Sequence, residues 1–125
     1  MFAIDTSTLI AYLDGESGGD VTMCAKLLAI SEVLLPAPVV VEALSNAKTR
    51  HLIEPTLRRL TILDFKEDFW FRASALRANL LAKKFKANLA DTLIAQSCID
   101  HGVALITRDT DFRHFAKHGG LKLAI

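Results

Sequence analysis

The feature that narrows the fold most is an alternation of short apolar runs with helix-period segments along the whole chain. Phe2–Ile4, Leu34-Leu35, Thr61–Leu63, Val103–Ile106 and Leu121–Ile125 read as strands. Between them lie helical signals. Asp5-Thr6-Ser7-Thr8, rich in capping residues, leads into a helix over Leu9–Leu13. Gly15–Gly19 is a loop, and Asp20 can cap a second helix to about Glu32. Pro36-Ala37-Pro38 breaks the chain and starts a third helix through Val39, Val40, Glu42 and Leu44, since proline is tolerated in a first turn. A fourth helix covers Leu52–Arg59 and a fifth Asp68–Lys84. Asn88 can cap a sixth that runs to His101 and ends at Gly102. Thr107–Asp111 is a polar turn before a short helix over Phe112–Lys117, and Gly119-Gly120 is a break. Strands alternating with helices call for a mostly parallel sheet covered on both faces. A length of 125 residues suits one domain over residues 1–125.

The fifth helix carries more apolar surface than one face needs. Phe69, Ala73, Leu76 and Leu80 form one stripe, Phe71 falls opposite, and Trp70 and Leu81 sit between. A second partner is expected for it, either another subunit or a neighbouring helix of the same chain. Cys24 and Cys98 lie inside apolar helical patterns without CxxC or Cys/His spacing, so they read as small buried hydrophobes. Two free thiols suit a reducing compartment. The N-terminus has no basic segment, and no apolar run approaches the ~20 residues a bilayer requires. No membrane anchor is expected, and the cytoplasm is the expected location.

A net charge of +1, from 15 basic and 14 acidic side chains, does not argue for nucleic-acid binding. Such binding must come from local patches or from a metal ion that changes the sign of a site. Lys83-Lys84-Phe85-Lys86 reads either as an RNA-backbone contact or as a solvated helix end. Arg108 and Arg113 flank the acidic turn, where they can steady phosphates. The four histidines show no metal-ligand spacing, and no Walker loop, GxGxxG or GxSxG occurs.

The acids are the informative residues. In an open parallel sheet, ligands bind beyond the carboxyl ends of the strands, near the switch in strand order. Asp5 directly follows the first strand, and Asp109, with Thr107 and Asp111, follows Val103–Ile106. Asp91, in the first turn of its helix, shares an arc with Ile94, Ala95 and Cys98, which turns it inward. Glu42 stands in Val39-Val40-Val41-Glu42-Ala43-Leu44 with no basic residue at i+3 or i+4. An unpaired carboxylate in apolar surroundings costs several kcal/mol and is normally neutralised, paired or metal-bound. Singly, Asp5, Asp91, Asp109 and Asp111 can each be helix caps. Glu42 can be half-exposed, but together Asp5, Glu42, Asp91 and Asp109 describe a site whose repulsion a hard divalent cation would relieve, Mg²⁺ or Mn²⁺ rather than Zn²⁺. Thr107 and Ser7 can hold a ligand or water there. Such a site favours phosphodiester chemistry.

Four stretches carry a resemblance that spans the chain in order. They are Ala3-Ile4-Asp5-Thr6-Ser7-Thr8-Leu9-Ile10, Val40-Val41-Glu42-Ala43-Leu44, Leu89-Ala90-Asp91-Thr92-Leu93-Ile94-Ala95 and Leu105-Ile106-Thr107-Arg108-Asp109-Thr110-Asp111-Phe112. On these the chain resembles the PIN-domain family, and within it the VapC-type toxins of toxin–antitoxin pairs. The resemblance implies a three-layer α/β/α fold with a five-stranded parallel sheet. It also implies Mg²⁺- or Mn²⁺-dependent endoribonuclease activity that leaves 5′-phosphate and 3′-hydroxyl ends. The family's acidic quartet falls on Asp5, Glu42, Asp91 and Asp109, its supporting threonine on Thr107 and its less uniform further acid on Asp111. Ser7 matches a frequent polar position. The implied partners are an RNA substrate, a VapB-like antitoxin and a second copy of the chain. Arg50–Lys86 matches in pattern only. The alternatives are a PIN nuclease of RNA maturation, an RNA-binding module without catalysis, and a small phosphatase.

Overall fold

The computed structural model describes residues 1–124. Four strands, β1 (Phe2–Ile4), β2 (Val33–Pro36), β3 (Thr61–Leu63) and β4 (Ala104–Ile106), form one parallel sheet in the order β3-β2-β1-β4. Helices α1 (Thr6–Leu13) and α2 (Gly19–Ala29) join β1 to β2, and α3 (Ala37–Ala43) and α4 (Arg50–Leu57) join β2 to β3. Helices α5 (Phe69–Ala82) and α6 (Leu89–His101) lead to β4, and α7 (Phe112–Gly119) follows it. The first two connections step one way along the sheet and the third steps back across it. Right-handed crossovers therefore place α1–α4 on one face and α5 and α6 on the other, the three-layer arrangement expected.

The strands are short because each is bounded by turn or capping residues, and they are apolar because helices cover both faces. Ala3, Ile4, Leu35, Leu105 and Ile106 have no solvent exposure, and Leu9, Ile94, Phe112 and Phe115 from the helices meet them in the core. Cys24 and Cys98 are free and buried, and burial pushes their thiols up to about 11 and about 12.

The expected fifth strand is reduced to a single parallel bridge between Leu105 and Leu123. Helix α7 runs on to Gly119, and the chain turns back at Gly120 in a left-handed conformation, φ +86°. The Leu121 amide is then tied to the Phe115 carbonyl, which leaves little chain to pair with β4. Ile125, the last residue of that expected strand, lies outside the described residues.

Two further expectations change. Helix α2 begins at Gly19 with Gly18 at its cap position, so Asp20 sits in the first turn and does not cap it. Helix α5 buries Phe69, Ala73 and Leu80, while Trp70 and Phe71 stay 58% and 77% exposed. Among the described residues, no helix of the same chain covers that second face.

The structure also shows a tie that sequence spacing does not reveal. Asp20 is buried and accepts hydrogen bonds from Arg108 Nε (2.8 Å), Arg108 Nη2 (3.0 Å) and Thr8 Oγ1 (2.8 Å). Chiefly the Arg108 guanidinium holds its carboxyl down at about 2. The pair joins α1, α2 and the turn after β4. Gly18, at φ +146°, makes room for it: a Cβ there would stand 2.6 Å from Asp20 Oδ1 and 3.0 Å from Arg108 Nη2. Gly18→Ala is expected to destabilise the fold by about 1–3 kcal/mol in urea unfolding, the usual size for combined backbone strain and a broken buried pair. Part of that loss runs through the ion pair. In a double-mutant cycle with Arg108→Ala, the double variant should therefore lose less than the sum of the two single losses.

Candidate active site: carboxylates at the strand ends

Strands β1 and β4 are neighbours, and the strand order reverses between them, which makes their carboxyl ends the switch point of the sheet. Ile4 lies beside Ile106, and the Asp5 amide donates to the Ile106 carbonyl at 3.0 Å. Asp5 and Thr107 therefore leave the sheet side by side. Asp5 is buried, and its Oδ2 accepts from Ser7 Oγ at 2.7 Å and Thr107 Oγ1 at 2.8 Å. It stands at the cap position of α1 but makes no capping bond with its side chain. Its carboxylate is oriented by two hydroxyls instead. Thr107 Oγ1 also accepts from the Asp109 amide at 3.0 Å, and Asp109 Oδ1 accepts from the Asp111 amide at 2.9 Å. This chain of short-range bonds shapes the turn that presents both acids.

Asp91 joins them from the first turn of α6, and Asn88 before it makes no side-chain capping bond. One carboxylate oxygen from each of Asp91, Asp109 and Asp111 lies within 4.8 Å of the others. Asp91 is pushed up to about 7, first by its burial and then by the charges of Asp5, Asp109, Glu42 and Asp111. Glu42 approaches from α3, where its Oε1 accepts from Thr6 Oγ1 at 2.7 Å.

The structure thus brings all the sequence-derived acids to one rim and redistributes them. Asp111, assigned only a supporting place, stands in the tight trio. Asp5 and Glu42 stand outside it. Glu42 is solvent-exposed, so the burial cost argued from its apolar neighbours does not apply. The short helix α3 turns that residue outward while Val39 and Ala43 face the core. Arg108, which precedes Asp109 and Asp111 in sequence, is taken up by Asp20 instead. Two contacts were missed. Thr6 meets Glu42, and Lys86 Nζ forms an ion pair with Asp111 Oδ2 at 2.9 Å. Lys86 was visible as part of a basic run, but nothing in the sequence directed it to the acids.

A divalent cation fits this donor set. The trio consists of hard oxygen donors brought close together, the donor type that Mg²⁺ or Mn²⁺ would take. Asp91 stays raised although Lys86 is paired with Asp111, so the acids of the cluster outweigh the one ammonium beside them.

The model of the family described as "PIN domain" matches residues 2–118. The chain belongs to the PIN domain family. Among its relatives, the VapC ribonuclease Mb1587 of Mycobacterium bovis is 29% identical over 131 residues, covering 99% of this chain and 98% of that protein. Ribonuclease VapC11 of Mycobacterium tuberculosis matches to the same degree. Three solved structures share the fold. They are VapBC2 from Rickettsia felis bound to a promoter DNA fragment (TM-score 0.72, 21% identity), FitAcB from Neisseria gonorrhoeae (0.72, 20%) and DNA-bound VapBC from Salmonella typhimurium (0.73, 20%). Each match covers 98% of this chain and at least 95% of the other.

The raised Asp91 carries a stability prediction with a definite sign. A carboxyl whose folded value, about 7, exceeds its ordinary value of 3.8 binds its proton more tightly in the folded state. That contribution is full below pH 4 and is lost as pH rises through about 7. Without divalent ions, Asp91→Asn should therefore raise the melting temperature at pH 8 by roughly 3–6 °C. The gain should shrink toward zero at pH 4–5, as followed by circular dichroism.

Proposed function

We propose that this chain is a divalent-metal-dependent endoribonuclease, the toxin of a type II toxin–antitoxin module. The observation that carries the reading is the meeting of Asp91, Asp109 and Asp111 with Asp5 at the β1/β4 switch point. The names of the relatives Mb1587 and VapC11, both ribonucleases, support RNA as the substrate. Asp91, Asp109 and Asp111 would hold Mg²⁺ or Mn²⁺, with Asp5 beside them and Glu42 at the solvent edge. The bound ion supplies a polarised water nucleophile and neutralises charge on the phosphate oxygens.

The chain's own residues do the positioning. Thr107 and Ser7 donate to the same oxygen of Asp5 and so fix which way its carboxylate faces. Thr107 also fixes the Asp109 amide, which couples the two strand ends. Asp91, raised to about 7 by its burial and its acidic neighbours, would give up its proton on holding a cation. Thr6 holds Glu42 at the edge of the site, where it can orient water or substrate.

A VapB-type antitoxin is the proposed inhibitor, in keeping with two of the structural neighbours, VapBC2 from Rickettsia felis and VapBC from Salmonella typhimurium. A second copy of the chain is proposed to cover the exposed Trp70 and Phe71 face. No helix among the described residues is long and apolar enough to cross a membrane. The cytoplasm, where RNA is available, is the proposed location.

Cleavage of a mixed RNA substrate should require Mg²⁺ or Mn²⁺ and stop in EDTA. Asp91→Asn and Asp109→Asn should abolish it while the circular dichroism spectrum is kept. Full activity in EDTA or in either variant would sink the proposal. Binding without cleavage under every metal condition would favour the RNA-binding module. Normal growth on expression would favour a nuclease of RNA maturation. Thr107→Val should fold and lose about 10–100-fold in metal affinity or activity, as expected when a partner that orients a metal ligand is removed.

A further inference from the structure

Lys86 is the cation that reaches the acidic trio, and the segment that carries it is anchored on both sides. Helix α5 ends with Lys84 in a left-handed conformation (φ +64°), where the Phe85 amide donates back to the Leu80 carbonyl at 3.0 Å. The Phe85 ring then stacks on both His114 and His118 of α7, with centroids 4.6 Å from each. On the other side, Ala87 is buried and its carbonyl accepts from Arg77 Nε at 2.8 Å. Between these anchors Lys86 is 60% exposed, with its ammonium 2.9 Å from Asp111 Oδ2. Lys83 and Lys84 precede it in sequence, but Lys86 is the member of the run that is ion-paired to the trio among the described residues.

We propose that Lys86 is an internal counter-ion of the acidic site, one that holds Asp111 until a divalent cation takes that carboxylate and so sets the site's metal affinity. The proposal rests on the metal-site reading above. Two positive charges at close range on Asp111 repel each other, so the ammonium competes with a metal ion for that carboxylate. An exposed pair is weak enough to be displaced. The long lysine stem lets the head swing into solvent while Phe85 and Ala87 keep the backbone in place. Lys86 is thus a positioning residue that acts through Asp111.

Calorimetric titration of Mn²⁺ into the metal-free full chain, without RNA, tests this. Lys86→Met should bind Mn²⁺ more tightly than the unaltered protein by about fivefold, the upper end of what one exposed ion pair contributes. Lys86→Arg, which keeps the charge, should stay within about twofold of the unaltered protein. Lys84→Met removes a charge of the same run and should change the affinity much less. The gap between Lys86→Met and the unaltered protein should close in about 1 M salt, where the Debye length falls to about 3 Å. Equal or weaker Mn²⁺ binding by Lys86→Met would overturn the proposal. So would an equal gain in Lys84→Met, which would reduce the effect to overall charge. If the unaltered protein binds no Mn²⁺, the metal-site reading fails and this proposal falls with it. Binding by all variants at equal affinity removes this proposal alone.

Discussion

The site depends on one pairing: β1 lies in parallel register with β4, Ile4 beside Ile106. Parallel strands end on the same side of a sheet, so this register delivers Asp5 and Thr107 to one rim, and the Asp5 amide continues the ladder by bonding to the Ile106 carbonyl. A slip of one residue in either strand would turn its side chains over relative to its neighbour and send Asp5 and Thr107 to opposite faces. The buried pattern of Ala3, Ile4, Leu105 and Ile106 forbids that slip, because every one of these side chains is fully enclosed. The position of the carboxylates therefore follows from core packing, which contains no polar group of the site.

That convergence is unfavourable in itself. Asp91 records the cost, since burial and four neighbouring carboxylates hold it at about 7. The molecule offsets the charge by unequal means. Asp5 receives two hydroxyl donors on one oxygen, which fix its orientation. Glu42 stays exposed, where water screens it and Thr6 steadies it. Asp111 is paired with the ammonium of Lys86. None of these devices adds a fixed buried positive charge to the trio, which suits a site that exchanges its own proton or lysine for a bound cation.

Most of the architecture could be read from the chain because short apolar strands and capped helices leave strong local signals. Strand β4 and helix α6 were bounded within a residue or two by Asn88, Gly102 and the polar turn at Thr107. Asp5, Asp91 and Asp109 were legible because they sit just after a strand or in a first helical turn, positions a parallel fold brings together. Three things were not legible. Asp20 and Arg108 are 88 residues apart and meet only through the packing of α2 beside the turn after β4. The outward direction of Glu42 depends on where the short helix α3 starts, and a one-residue shift moves a side chain by about 100°. The fifth strand was overcalled because Leu121–Ile125 is apolar, but the Gly120 turn and the Leu121 bond to Phe115 leave room for one bridge alone.

The turn after β4 places two kinds of ion pair next to each other. Arg108 binds buried Asp20 with two hydrogen bonds, while Asp111, three residues on, meets a lysine that is mostly in solvent. Removing one partner of a buried pair leaves an uncompensated charge and is costly, whereas an exposed pair contributes little and exchanges readily. The first arrangement suits a scaffold and the second suits a place that must be vacated. With Arg108 committed to α2, the backbone of the turn stays fixed when Lys86 leaves Asp111, and Asp109 keeps its place through the Thr107 hydroxyl. The acidic rim can change its counter-ion without rebuilding the loop that presents it, because the charge that moves, Lys86 between α5 and α6, and the charge that anchors, Arg108 after β4, belong to different segments of the chain.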